Sequence, residues 1–278
     1  MEKINIMING LPGNVAFILT EKALRDDRFC VLPFSLTGQE IEADECLVEK
    51  TAFELVRPDV RDEKIKEISD LFPSFISIDY THPSAVNDNA RFYIRNRIPF
   101  VMGTTGGDRD LLEKTVSEAD IPAVIAPNMA KQIVGFQAMM AYGATTFPDL
   151  FKGYNLTIKE SHQNGKADTS GTARAMVGYF NTMGIDYDVD QIEMVRDPDV
   201  QENRWGIPGE HLAGHAWHTY TLTSPDGSAL FEFKHNINGR DIYAAGTFDA
   251  VVFLNNKLSH STTGQTLFSM IDVLSSKE

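Results

Sequence analysis

Residues 4–14 read INIMINGLPGN. A short apolar run over 4–8 meets a turn, Asn9-Gly10-Leu11-Pro12-Gly13-Asn14. Beyond it Val15, Phe17, Ile18, Leu19, Ala23 and Leu24 recur at helical spacing. Strand, glycine turn and helix in that order open a βαβ unit. In a dinucleotide fold this turn carries the pyrophosphate: glycine lets the backbone approach the anion, and the helix N-terminus offers free N–H donors. Gly10, Leu11, Pro12, Gly13, Asn14 and Val15 are therefore candidate cofactor contacts. The spacing departs from G-x-G-x-x-G, because Pro12 holds the middle glycine's place and Val15 the last one's. An ordinary βα turn remains the competing reading.

Beyond this turn, strands are expected over 30–36, 47–55, 75–80, 99–102 and 123–126, and helices over 64–72, 89–96 and 111–119. Such alternation predicts a mostly parallel, doubly wound sheet. Near residue 130 the pattern changes. Helices over 132–147 and 172–180 surround a strand over 155–160. Long alternating strands over 216–223 and 229–237 flank Pro225-Asp226-Gly227-Ser228, a hairpin signal. Helical patterns return over 240–254 and 266–274. The fold class is α/β: a Rossmann-type doubly wound N-terminal domain with a second, mixed α/β (α+β) domain.

The 278 residues carry 39 acidic against 25 basic side chains, a net charge of −14. A nucleic-acid binder needs a basic face, so that class is not expected. Two cysteines, Cys30 and Cys46, do not make a disulfide scaffold and fit a reducing compartment. The N-terminal apolar run is too short for a membrane span or a signal peptide. The expected location is cytoplasmic, with no membrane partner.

In a doubly wound sheet, ligands sit beyond the carboxyl ends of the strands. Thr81-His82-Pro83, Gly103-Thr104-Thr105-Gly106 and Ala126-Pro127-Asn128-Met129 fall there and are expected near a nicotinamide. For His82 the local reading favours a loop histidine that caps a turn. The stretch 31–37, VLPFSLT, has no carboxylate to hold a ribose diol. Its hydroxyls, Ser35 and Thr37, accept a 2′-phosphate without repelling it, which favours NADPH over NADH or allows both.

Residues 160–172 read ESHQNGKADTSGT. His162 titrates near neutrality and can exchange a proton. Lys166 is a compact donor for an anion. Ser170-Gly171-Thr172 before Ala173 form a helix N-cap with exposed amides, a cradle for a carboxylate. Asp168 is placed to fix Lys166 or to cap the turn. A solvated loop is the competing reading. The run from Glu210 to His218 contains His211, His215 and His218, but strand alternation puts His215 and His218 on opposite faces, so no metal is expected. His235 and His260 read as surface or strand residues, and Met139-Met140 as core filler.

Taken together, these residues resemble the dihydrodipicolinate reductase family. Glu160, His162, Lys166, Asp168, Ser170, Gly171 and Thr172 match the bacterial pattern E-[AL]-H-H-x-x-K-x-D-A-P-S-G-T. Gln163 replaces the second histidine and one residue is missing before the serine, a form similar to the plant-type branch. The Gly10 turn, the three later loops and Gly209-Glu210-His211 follow in the family's order.

The resemblance implies a dinucleotide domain over 1–130 completed by 240–278, and a substrate-binding and oligomerisation domain over 131–239 that builds a homotetramer. It implies NAD(P)H-dependent reduction of a small cyclic dicarboxylate in lysine and diaminopimelate synthesis, with the substrate between the domains. His162 would be the general acid, Lys166 a catalytic substrate contact, and Gln163, Ser170, Gly171 and Thr172 the carboxylate grip. A non-catalytic NADP-binding sensor and a different imine or aldehyde reductase remain as rivals.

Overall fold

The computed structural model describes residues 2–259 and 264–276. His260 lies outside them. The chain divides into two compact units, residues 1–131 with 241–278, and residues 132–240.

The first unit begins as the opening stretch predicts, with β1 (Ile4–Asn9), a turn, and α1 (Asn14–Leu24). The later elements are β2 (Phe29–Val31), β3 (Phe34–Leu36), β4 (Glu45–Val48), β5 (Thr51–Val56), α2 (Arg61–Leu71), β6 (Ile76–Asp79), α3 (Val86–Arg95), β7 (Phe100–Met102), α4 (Arg109–Ser117) and β8 (Ala123–Ile125). The sheet has six strands, and every pairing in it is parallel. Strand alternation sends Met7 into an apolar cluster with Ile65 and Ile68 of α2, Phe92 and Tyr93 of α3, and Leu112 and Val116 of α4. Ile6 and Ile8 are buried as well, on the opposite pleat.

Two expected strands are each two strands. The segment 30–36 divides at Pro33, which has no N–H to give to a ladder. β2 stays beside β1, whereas β3 leaves to pair with β5. The segment 47–55 folds back on itself: Glu49 takes a left-handed φ of 55°, and β4 and β5 run antiparallel. β3, β5 and β4 thus form a separate three-stranded sheet.

After the second unit the chain returns with α8 (Ile242–Ser259), β13 (Leu267–Phe268) and α9 (Met270–Ser275). Residues 266–274 were expected to be all helix. Instead β13 adds a sixth strand beside β8, and the Ser269 hydroxyl accepts the Asp272 N–H to start α9. Gly246 lets α8 lie against the loop after β8, since a Cβ there would stand 2.0 Å from the Met129 carbonyl oxygen.

The second unit takes up α5 (Lys131–Thr146), which starts at the boundary, then β9 (Asn155–His162), α6 (Gly171–Thr182), β10 (Glu193–Val195), α7 (Pro198–Asn203), β11 (His215–Thr223) and β12 (Leu230–Asn238). Its mixed sheet runs β10-β9-β11-β12. β10 and α7 have no clear periodic signal in the sequence. The hairpin forms where Asp-Gly places it, with Gly227 at φ 70° and the Asp226 carboxylate accepting from Ser224 and Ser228. Leu156 and Ile158 of β9 and Tyr220 and Leu222 of β11 pack with Ala173, Met176, Val177 and Phe180 of α6. On the same pleat of β9 the next two residues are Glu160 and His162. No helix among the described residues is long and apolar enough to cross a membrane.

Candidate active site

β1, β6, β7 and β8 are parallel neighbours, so the loops that follow them emerge at one edge of the sheet. Gly10 has φ 109°, and a Cβ there would stand 2.2 Å from the Tyr80 carbonyl oxygen, so this position requires glycine. The Leu11–Pro12 peptide is cis. Gly13 caps α1 without a side-chain hydrogen bond, while Pro12, Gly13 and Asn14 are exposed. The first turn of α1 therefore keeps donors for an anion, as a phosphate cradle needs.

Asp79, at the end of β6, is fully buried. Its carboxylate accepts from the Thr81 amide (3.2 Å) and hydroxyl (2.9 Å), the Thr104 hydroxyl (2.5 Å), the Asn89 amide (3.0 Å) and the Tyr93 hydroxyl (2.7 Å). Asn9 donates to Tyr93 and accepts the Leu36 N–H, which joins β1 and β3 to the same network. Burial and the adjacent Asp79 charge push the Tyr93 hydroxyl well above its ordinary pKa, so it stays a donor.

This network changes the reading of several candidates. Ser35 and Thr37 are buried, not open to a 2′-phosphate. The Ser35 hydroxyl accepts the Leu11 N–H, and the Thr37 hydroxyl donates to the Leu11 carbonyl. Both brace the turn because β3 belongs to the other sheet, and the Leu11 N–H is already taken up. The hydroxyls of Thr81 and Thr104 face inward to Asp79, and Gly103 packs so closely on Tyr80 that a Cβ would stand 2.3 Å from its ring. Thr105 and Pro127 are exposed, Ala126 and Met129 are buried, and Asn128 accepts the Ala130 N–H. His82 is exposed and caps the turn Pro83–Ala85, its Nδ1 accepting the Ser84 N–H.

In the second unit, β9 ends on a site. Arg196 donates to Glu160 Oε1 (2.5 Å) and the Ser170 N–H to Oε2 (3.1 Å). Burial alone would raise the Glu160 pKa. Hydrogen bonds from His218, Arg196 and Ser170 outweigh it and hold the carboxyl well below the usual range. His162 Nε2 lies 3.8 Å from Glu160 Oε2 and, though buried, has no hydrogen-bond partner. Burial, reinforced by His218, lowers the His162 pKa to about 4 against the partial opposition of Glu160.

The Ser170 hydroxyl accepts the Ala173 N–H, and helical bonding begins with the Arg174 N–H. The amides of Gly171 and Thr172 precede that ladder, and both residues are at least partly exposed. Lys166 is half-buried; its carbonyl accepts from Arg196 Nε, and its N–H closes a turn onto the Gln163 carbonyl. Asp168 is exposed and pairs with neither Lys166 nor the turn among the described contacts. The structure thus brings His162, Lys166 and Ser170–Thr172 into one loop system tied together by Arg196.

Arg196, His218 and Gln201 carry no local sequence signal for this site. His218 enters through the register that pairs it with Glu160 across β9 and β11. Gln201 of α7 donates to the His162 carbonyl (2.7 Å). Ligand atoms of Glu160, His162 and His218 lie within 4.8 Å of one another, near enough for an ion. Arg196 and Ser170 already neutralise that carboxylate, so the donor set does not favour a cation. His215 points to the other face, with its Nε2 2.8 Å from Ser161 Oγ.

The sequence matches the family models "Dihydrodipicolinate reductase, N-terminus" over residues 4–129 and "Dihydrodipicolinate reductase, C-terminus" over residues 133–274. It is 46% identical over 276 residues to 4-hydroxy-tetrahydrodipicolinate reductase 1, chloroplastic, of Arabidopsis thaliana, covering 98% of this chain and 78% of that one. Reductase 2 of the same plant is 46% identical over 98% of this chain and 77% of its own. A probable reductase 2 of Oryza sativa subsp. japonica is 42% identical over 97% and 82%. All three plant proteins are named chloroplastic, which overturns the expected cytoplasmic location. Among solved structures, a dipicolinate-bound dihydrodipicolinate reductase from Paenisporosarcina sp. TG-14 shares the fold. Its TM-score is 0.66 at 18% identity, over 96% of this chain and 98% of that one.

Proposed function

Since the chain belongs to the dihydrodipicolinate reductase family, we propose that it reduces dihydrodipicolinate, formed from 4-hydroxy-tetrahydrodipicolinate, to tetrahydrodipicolinate with NAD(P)H in lysine and diaminopimelate synthesis. The observation that carries this reading is the buried, unpartnered Nε2 of His162 on the strand that leads into the amides of Gly171 and Thr172. A proton carrier and an anion cradle are what reduction of an unsaturated dicarboxylate asks of a protein.

NAD(P)H supplies the hydride when bound. Gly10, Gly13 and the open first turn of α1 are suited to its pyrophosphate, and the exposed Thr105 and Pro127 loops to its nicotinamide end. Gly171 and Thr172 hold one substrate carboxylate through N–H and hydroxyl donors, assisted by Gln163. Lys166 binds the substrate and polarises the anion that forms on the ring. Hydride adds to the ring carbon conjugated with the imine, and His162 gives a proton from Nε2 to the enamine carbon this leaves. In the free protein the ring is neutral at pH 7. Two substrate carboxylates beside it raise its pKa, so it takes on its proton together with the substrate.

NADPH stays the favoured coenzyme on one ground, the absence of any carboxylate from Phe29 to Thr37. The hydroxyls of Ser35 and Thr37 give no support. Glu40, whose carboxylate folds against Gly38, is the residue able to tip the choice toward NADH. The second unit also makes the tetramer, through a sheet whose last strand exposes Leu230 and Phe231.

The test follows NADPH and NADH absorbance with freshly prepared 4-hydroxy-tetrahydrodipicolinate. Turnover is expected with both, at lower KM for NADPH. Coenzyme binding without turnover supports the sensor, and turnover only of other imines or aldehydes supports the other rival. A clean monomer in sedimentation removes the tetramer.

A further inference from the structure

Glu160, His218 and His235 lie side by side on β9, β11 and β12, since the register pairs His218 with both of its neighbours. His218 is 2% exposed. Its Nε2 stands 2.8 Å from Ser170 Oγ and 3.5 Å from Glu160 Oε2. Its ring meets His162 at 5.1 Å, nearly edge-on, and stacks on His235 at 4.6 Å. One imidazole therefore touches the cap residue of the cradle helix, the carboxylate that faces His162, and the His162 ring itself.

The next pair along the same pleat is Tyr220, a member of the apolar cluster, with Phe233 packed against that cluster. A residue that only packed would be apolar at position 218 too. His218 instead buries a Nδ1 that has no partner, and desolvating such a group has a cost.

We propose that His218 is a positioning residue for the reduction. It holds the Ser170 cap against Glu160, so that the amides of Gly171 and Thr172 and the Nε2 of His162 address the same bound dicarboxylate. Without it the cap remains, through Ala173, but it is no longer tied to β9 through this ring. The cradle is then held to β9 only by the Ser170 N–H bond to Glu160, and its alignment with the proton carrier loosens. This inference rests on the reductase reading above.

The experiment compares wild type, His218→Phe and His218→Gln in the whole 278-residue chain. It measures equilibrium binding of dipicolinate, a planar dicarboxylate, and of NADPH, with kcat and KM for the substrate. In His218→Phe, dipicolinate Kd and substrate KM are expected to rise ~10-fold or more, the scale of a lost hydrogen bond to a charged group. NADPH Kd stays within ~2-fold, because the coenzyme-binding residues belong to the other unit. The Gln amide N–H reaches where Nε2 stood, so His218→Gln restores dipicolinate affinity to within ~3-fold of wild type.

Unchanged dipicolinate affinity and kcat/KM in His218→Phe overturn the proposal. So does parallel loss of dipicolinate and NADPH binding in both variants, which marks a purely structural residue. If His218→Phe does not fold, His218→Leu takes its place: weaker dipicolinate binding at unchanged NADPH Kd, restored in His218→Gln, supports the proposal, and unchanged dipicolinate affinity overturns it. A wild type that binds dipicolinate but turns over no substrate defeats the reductase reading, while the binding comparison still judges His218.

Discussion

In the first unit the Asp79 carboxylate is enclosed by five donors from Thr81, Thr104, Asn89 and Tyr93. In the second unit the buried nitrogens of His162, His218 and His235 and the Gln201 Oε1 have no partner. These are four of the five unpartnered buried side-chain atoms among the described residues, the fifth being Arg109 Nη1. The contrast separates two ways of preparing a site. The edge of the parallel sheet is locked before any ligand arrives, because the loops after β6 and β7 hang on a satisfied carboxylate. The end of β9 keeps open valences, which are costly alone and gain value when a charged ligand enters.

The largest effect that can break this contrast is chemical. His162→Ala should lower kcat by ~10²–10⁴-fold, the usual worth of a general acid, with NADPH binding unchanged. Coupled-assay kinetics check it, and near-normal kcat/KM removes His162 from the mechanism. Next comes the locked edge. Asp79→Asn turns a pure acceptor into a group that also donates, among five donors already aimed at it. A stability loss of ~1–3 kcal/mol in urea unfolding is expected, with weaker NADPH binding. If stability holds and only kcat falls, the edge is not the rigid partner described.

A smaller effect concerns acid. Burial and then His218 hold His235 down to about 3 and His162 down to about 4, against 6.5 for a free imidazole. Below pH 6.5 the unfolded chain takes up protons that these folded rings refuse. Their contribution to stability is therefore complete above about pH 6.5 and is lost as pH falls toward 4 and then 3. His235→Phe should flatten that loss in urea midpoints measured at pH 8, 6.5 and 5; an unchanged slope sinks the explanation. The smallest effect is at Gln163, which is half-exposed. Gln163→His should move substrate KM by only a few-fold, roughly one exposed hydrogen bond, and leave kcat alone.

The sequence carries these features unequally, for a physical reason. The turn at Gly10 and the cradle at Ser170–Thr172 are local, and local spacing reveals them. Arg196, His218 and Gln201 reach Glu160 and His162 through sheet register and a short helix, and no spacing rule encodes which residue faces which across strands. Strand alternation separates His215 from His218 correctly but does not say that one would meet Ser161 and the other Ser170. Ser35 and Thr37 misled for a related reason: their hydroxyls sit at the expected strand end, yet Pro33 sends that strand to another sheet and turns them onto Leu11.

The strand order of the parallel sheet has a consequence for synthesis. β13 and α8 belong to the first unit but follow the whole second unit in the chain. A growing polypeptide is made from its N-terminus, so residues 132–240 are complete while β8 still presents an unpaired edge. The second unit is free to fold on the ribosome, whereas the first must wait for β13 before its sheet is complete. The nascent chain therefore carries an exposed strand edge for the time needed to make the stretch from β8 to β13.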